Sequence, residues 1–262
     1  MSSTQEREEC LLNGNLKPTI TWQLTSYLKS GSVFFGITTF LLLILWVVSH
    51  FFGFKHIQDL GGCSITGSVL FFVFGLTSRS DLRLYSRLDI SRHVTFWSTI
   101  ASILVTALAL SLWAELMLAV VQAMEPQTQF LHLSDLFSVL YLNALPASSM
   151  SLLQHAQSLL FNFILMTLMF SAGGFLSFLF LRLKSLVSTL ITVGVFLAVL
   201  IILPHLSKSL PKPIRSALDT IGTTISSSSG LGMLIMILIT AVLFLITWFL
   251  IRRIDPWQSD LS

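Results

Sequence analysis

Long apolar runs, uncharged except for Glu115 in the third, restrict the fold of this chain more than any other feature. They cover 32–54, 61–76, 94–121, 159–181, 186–203 and 231–251. A run of about 20 apolar residues forms a helix that crosses a hydrocarbon core of roughly 30 Å. Inside lipid the backbone must satisfy its own hydrogen bonds, which leaves helices or closed barrels. The chain is 54% hydrophobic and 10% charged, whereas soluble domains carry about 25% charged residues. The sequence therefore predicts an all-α, polytopic membrane protein with six transmembrane helices.

The run at 61–76 is short and rich in small residues (Gly61, Gly62, Cys63, Ser64, Gly67 and Ser68). Charge tests whether it crosses. With six spans, Arg7, Lys17, Lys29, Arg79, Arg83, Arg87, Arg92, Arg182, Lys184, Arg252 and Arg253 share one side. Lys55, Lys208, Lys212 and Arg215 share the other, an eleven-to-four split. If 61–76 stayed on one side, the split would fall to nine against six. The positive-inside rule favours six spans with both termini cytoplasmic. The expected layout is a tail and interfacial helix over 1–31, a membrane domain over 32–251 and a short tail over 252–262.

Residues 1–15 read as a disordered polar tail with no cleavable leader, because the first apolar run is too long for a signal core. Leu16, Ile20, Leu24, Tyr27 and Leu28 share one helical face behind Pro18, predicting a helix in the cytoplasmic interface anchored by Trp22 and Tyr27. The connections at 124–157 and 204–230 fall outside the cell in this layout. Within the first, Ser134 ahead of DLFSVLYL predicts a capped amphipathic helix. Small-residue pairs at Ser32/Gly36, Cys63/Gly67, Ser64/Ser68 and Gly173/Ser177 are spaced to let helices approach closely.

Between the second and third runs lies a polar island, TSRSDLRLYSRLDISRH, over 77–93. Arg79, Arg83 and Arg87 recur every four residues and stack on one face of a helix, with Leu84, Tyr85 and Leu88 on the other side. One reading is a surface helix that a cytoplasmic partner grips. The other is an ordinary positive-inside loop.

The basic residues edge the apolar runs instead of forming a nucleic-acid surface. Cys10 and Cys63 read as free thiols. The chain lacks a P-loop, an H-E-x-x-H, a C-x-x-C and a G-x-S-x-G. Six scattered histidines predict no metal site. Glu115 is the one clear carboxylate at membrane depth. It reads either as a lining residue of a translocation path or as a hydrogen-bonded structural glutamate. Asn162 carries the same two readings, with interhelical bonding as the structural one.

An interfacial helix, two spans, a basic island opening on Ser78-Arg79 and a long third span together resemble the membrane subunit of an ABC-2 type exporter. FNFILMTLMFSAGGFLSFLFLRLKSL at 161–186 is similar to that family's fourth span and basic turn. LIMILITAVLFLITWFLIRRIDP at 234–256 is similar to its closing span. The likeness is to small bacterial permeases that export, or give immunity to, amphipathic peptides. It implies a dimer with a second copy or a paralogue in the plasma membrane, and separate ATPase subunits that bind ATP and magnesium. It also implies a coupling helix at 78–92, carried here by Arg79, Arg83, Leu84, Tyr85, Arg87 and Leu88. The connection at 124–157 is longer than the family pattern, so the resemblance does not fix an outer gate.

The expected function is an ATP-driven export permease for hydrophobic or amphipathic cargo, foremost peptides, without catalysis of its own. An intramembrane enzyme such as a membrane protease and a non-transporting membrane sensor are the rival readings. The enzyme would need paired Glu/His or Ser/His groups at depth.

Overall fold

The computed structural model describes residues 2–52, 57–60, 62–87, 90–128, 131–142, 150–179 and 228–253. The fifth expected span, the connection at 204–227 and Leu88 lie outside the described residues. The described chain is a helical bundle: α1 (Ser2–Phe52), α2 (Gly62–Arg87), α3 (Arg92–Thr128), α4 (Leu136–Tyr141), α5 (Leu152–Leu179) and α6 (Ser229–Arg253). Two four-residue strands, β1 (Ile57–Leu60) and β2 (Leu131–Ser134), pair in parallel with Ile57 opposite Leu131, an exception to the all-α expectation. Among the described residues, three helical stretches are long and apolar enough to cross a membrane: Arg92–Val120, Leu152–Leu179 and Ser229–Arg252. Ser64–Ser78 is a shorter apolar helix.

The sequence predicts a disordered tail, an interfacial helix and a first span as separate pieces. They form one helix of 51 residues instead, about 75 Å long at 1.5 Å per residue. Pro18 removes one internal hydrogen bond without ending it. The reason for the continuity is a single buried stripe. Thr19, Gln23, Tyr27, Gly31 and Phe35 are all buried at four-residue intervals, forming an i+4 ridge that lies against α3. The ridge runs through Lys29–Ser32, where the sequence suggested a break.

On α3 the buried face is lined by Thr95, Ser98, Ser102, Thr106 and Ser111. Small side chains let α1 approach closely. Their hydroxyls are satisfied locally: Thr106 donates to the Ser102 carbonyl at 2.8 Å and Ser111 to that of Ala107 at 2.6 Å. Ser102 reaches across to the Ile20 carbonyl at 3.3 Å.

The tightest crossing joins α2 and α5 at Gly75 and Gly173. A β-carbon on Gly75 would stand 2.3 Å from the Phe170 carbonyl oxygen, and one on Gly173 would stand 2.2 Å from that of Phe72. Ser177 adds a hydrogen bond to the Leu76 carbonyl at 2.8 Å. By contrast, nothing lies within 4 Å of a β-carbon on Gly36, so the Ser32/Gly36 pair makes no such crossing among the described residues. The central core packs Tyr27, Phe35, Phe71, Phe74, Ile103 and Phe170 from four helices. Separate clusters close the two ends, around Leu82, Phe178 and Ile251 at one and around Phe137, Phe161 and Met233 at the other.

Candidate functional site

The island is not a separate helix. Its first part, Thr77–Arg87, prolongs α2 by three turns. Ile90 N–H then bonds the Tyr85 carbonyl at 3.0 Å, a five-residue return that ends helices. Ser91 restarts the chain by capping α3, its Oγ accepting from Val94 N–H at 3.3 Å. Among the described residues the island is thus a helical extension of α2, a spur, followed by the Ser91 cap of α3.

One face of the spur is committed inward. Ser78, Leu82 and Tyr85 are buried, and Tyr85 meets Trp22 edge-on with ring centroids 6.0 Å apart. Tyr27 donates to Asp81 Oδ2 at 2.9 Å. Both lie outside the apolar spans. Burial raises the Asp81 carboxyl above the usual range, with the Tyr27 bond pulling it partly back. Burial, then the Asp81 charge, push the Tyr27 phenol well above its ordinary value. Burial likewise raises Tyr85. Leu84 is 41% exposed. The expected grouping of Leu84, Tyr85 and Leu88 thus divides: Tyr85 secures the spur to α1, and Leu84 is open. Arg79, Arg83 and Arg87 occupy helical positions of α2, and their side chains lie outside the description. Arg92 is turned to a structural task, with Nη1 3.4 Å from the carbonyls of Ile251 and Arg252 at the end of α6. A charge there complements the helix dipole.

At the opposite end of the bundle, four elements bring a polar cluster together. Asp135 is 3% exposed and caps α4 through Phe137 N–H at 3.2 Å. It also accepts from Ser64 Oγ on α2, from Ser158 Oγ at 2.5 Å and from Asn162 Nδ2 at 3.2 Å. Ser158 Oγ also contacts Glu115 Oε1. The second Glu115 oxygen lies 3.2 Å from His155 Nδ1. Glu115 and Asn162, singled out by the sequence, thus belong to one network, joined through Asp135 and Ser158.

The sequence reading missed Asp135, Ser158, His155 and Ser64. A signal for the α5 members existed: His155, Ser158 and Asn162 are spaced three and four apart, one face of a helix. The start expected for α5 at Leu159 hid it. The helix begins at Leu152, where Ser151 Oγ accepts from Gln154 N–H at 3.4 Å and Gln154 Oε1 accepts from Ser151 N–H at 2.7 Å, a capping box. The α4 cap is likewise Asp135, one residue beyond the expected Ser134.

Chemically, the cluster groups two carboxyl groups, an imidazole and hydroxyl and amide donors, all buried or half-buried. It can bind and pass protons or hold a polar group of a passing molecule. Ser158 Oγ is directed to the carboxyl groups and not to the imidazole, so it does not form a Ser–His pair. Among the described residues no three ligating side chains are grouped to hold a metal ion. Comparison with protein-family models, curated proteins and solved structures finds no match to this chain.

Proposed function

We propose that the chain is the membrane subunit of an ATP-driven exporter, dimeric with a second copy or paralogue in the plasma membrane, that moves hydrophobic or amphipathic cargo, foremost peptides. The observation that carries this reading is the island's form. A flexible positive-inside loop would not transmit force, whereas a helical extension of α2, followed by the Ser91 cap of α3, ties the described part of the island to both helices. The chain has no P-loop, so ATP-driven work enters from a separate ATPase subunit binding ATP and magnesium. Arg79, Arg83, Leu84, Arg87 and Leu88 are its contact and Tyr85 the inner brace.

Desolvated apolar anchors carry most binding energy at an interface, and charges orient it. Leu84 fits the first role and the arginines the second. The cluster of Glu115 and Asn162 then lies at the outward end of the cargo path. The test is purification of the tagged full chain from its native membrane, with photolabelling of the eluate by an azido-ATP analogue. A labelled companion polypeptide is expected, and its absence from active membranes contradicts the reading.

The intramembrane-enzyme reading gains one observation, the Glu115–His155 contact, since it needs paired groups at depth. It requires peptide hydrolysis by the purified chain alone, lost in Glu115→Gln. The export reading expects no hydrolysis.

A further inference from the structure

We propose that Glu115 and Asp135 hold one proton between them, bridged by Ser158, and that His155 is the group through which this proton exchanges with the surroundings. The inference rests on hydrogen accounting and is independent of the export reading. Ser158 Oγ carries a single hydrogen and is in hydrogen-bond contact with Glu115 Oε1 and with Asp135 Oδ2. Ionised carboxylates only accept. One hydroxyl hydrogen can satisfy one of them, so the other contact is attractive when its carboxyl group supplies a hydrogen of its own. Two facing carboxyl groups in a poorly solvated site share a proton for the same reason that like charges avoid proximity. The proton belongs to the pair, not to either residue.

The surrounding donors fit this arrangement. Ser64 Oγ, Asn162 Nδ2 and Phe137 N–H all point at Asp135, and no lysine or arginine joins them among the described residues. The titratable groups facing the pair are limited there. α5 contributes His155, the described side chains of α2 contribute the Ser64 hydroxyl, and Tyr141 of α4 packs its ring on Phe137 and Phe161, while the side chains of Cys63 on α2 and Glu125 on α3 are outside the description. The β1–β2 ribbon carries Asp59 and His132, whose side chains are outside the description.

Asp135 and Ser158 are buried, and exposure rises from Ser158 outward to His155. Asp135 is 3% exposed and Ser158 0%, while the side chains of Glu115 and His155 are 12% and 26% exposed. The imidazole is therefore the outermost group of a continuous path, Asp135–Ser158–Glu115–His155. An imidazole has two ring nitrogens, one able to accept and one able to donate a proton.

The experiment is infrared spectroscopy of the purified full chain in nanodiscs at neutral pH, reading the protonated-carboxyl stretch. Its intensity should fall by one carboxyl per chain in Glu115→Gln or in Asp135→Asn; equal intensity in wild type and both variants overturns the shared proton. Ser158→Ala keeps both carboxyl groups and should shift the frequency of that band, whereas an unmoved band overturns the bridge. In heavy water, His155→Gln should slow the band's hydrogen–deuterium exchange several-fold; an unchanged rate overturns the role given to His155.

Discussion

Tyr27 donates its phenolic hydrogen to Asp81 Oδ2 at 2.9 Å, tying α1 to the start of the basic spur across 54 residues of sequence. The raised Asp81 carboxyl fixes the sign of its pH dependence. The folded chain binds this proton more readily than the unfolded chain, so the stability linked to Asp81 is greatest in acid. It is lost as pH rises from about 4, the ordinary aspartate value, through the folded value. Asp81→Asn keeps an acceptor for Tyr27 and removes the charge. Its melting temperature at neutral pH should equal or exceed that of wild type, with a flatter profile between acid and neutral pH. A variant that melts lower at pH 7 would count against this assignment.

Gly75 and Gly36 predict opposite outcomes for the same change. An alanine β-carbon at 75 would meet backbone at 2.3 Å, which only separation of α2 from α5 relieves. Gly75→Ala should cost at least the 1–3 kcal/mol typical of overpacking. At Gly36 nothing stands within 4 Å, and alanine should be neutral or stabilising by up to about 1 kcal/mol from helix propensity. Denaturation midpoints of the two variants, in one detergent, make the comparison.

Arg92 closes α6. Removing the charge with Arg92→Gln should cost about 0.5–1 kcal/mol, the usual scale for a cation at a helix C-terminus. Amide exchange should accelerate at the last turn of α6 and stay unchanged at its first. Uniform exchange along α6 would show that the cap has no local effect.

The membrane class was legible because an apolar run of about 20 residues has few other solutions. Helix starts were less legible. The first helix hides its continuity, because its binding stripe from Thr19 to Phe35 mixes polar and apolar residues that a hydropathy reading separates. The α5 start was available in Ser151 and Gln154, whose capping box is local chemistry. The convergence of Glu115 with Asp135 was not available. It depends on the tertiary placement of Asp135 against Ser158 and Asn162 of α5, which no local pattern encodes. Tyr85 shows the same limit: its spacing places it beside Leu84, and only tertiary packing against Trp22 turns it inward.

The proposed six-span topology rests on the charge split and is open to direct test. Single cysteines at Ser86 and Ser227, in a background lacking Cys10 and Cys63, should differ in intact cells. A membrane-impermeant thiol reagent is expected to label position 227 and spare 86. Labelling at 86 would reverse the orientation of the spur and remove its access to cytoplasmic ATP.

The central claim is that the spur is where an ATPase grips, and Leu84 offers the most direct measurement. A photo-crosslinking amino acid is placed at Leu84 and, separately, at Tyr85 in the full chain, and membranes are illuminated. Position 84, open on the spur, should capture a polypeptide that binds the azido-ATP analogue, while position 85, packed on Trp22, should capture much less. Leu84→Asp combined with Leu88→Asp should abolish co-purification of that polypeptide while the chain still inserts. An inserted double variant that retains its ATP-binding partner, or a Leu84 probe that captures no ATP-binding protein, would contradict the account.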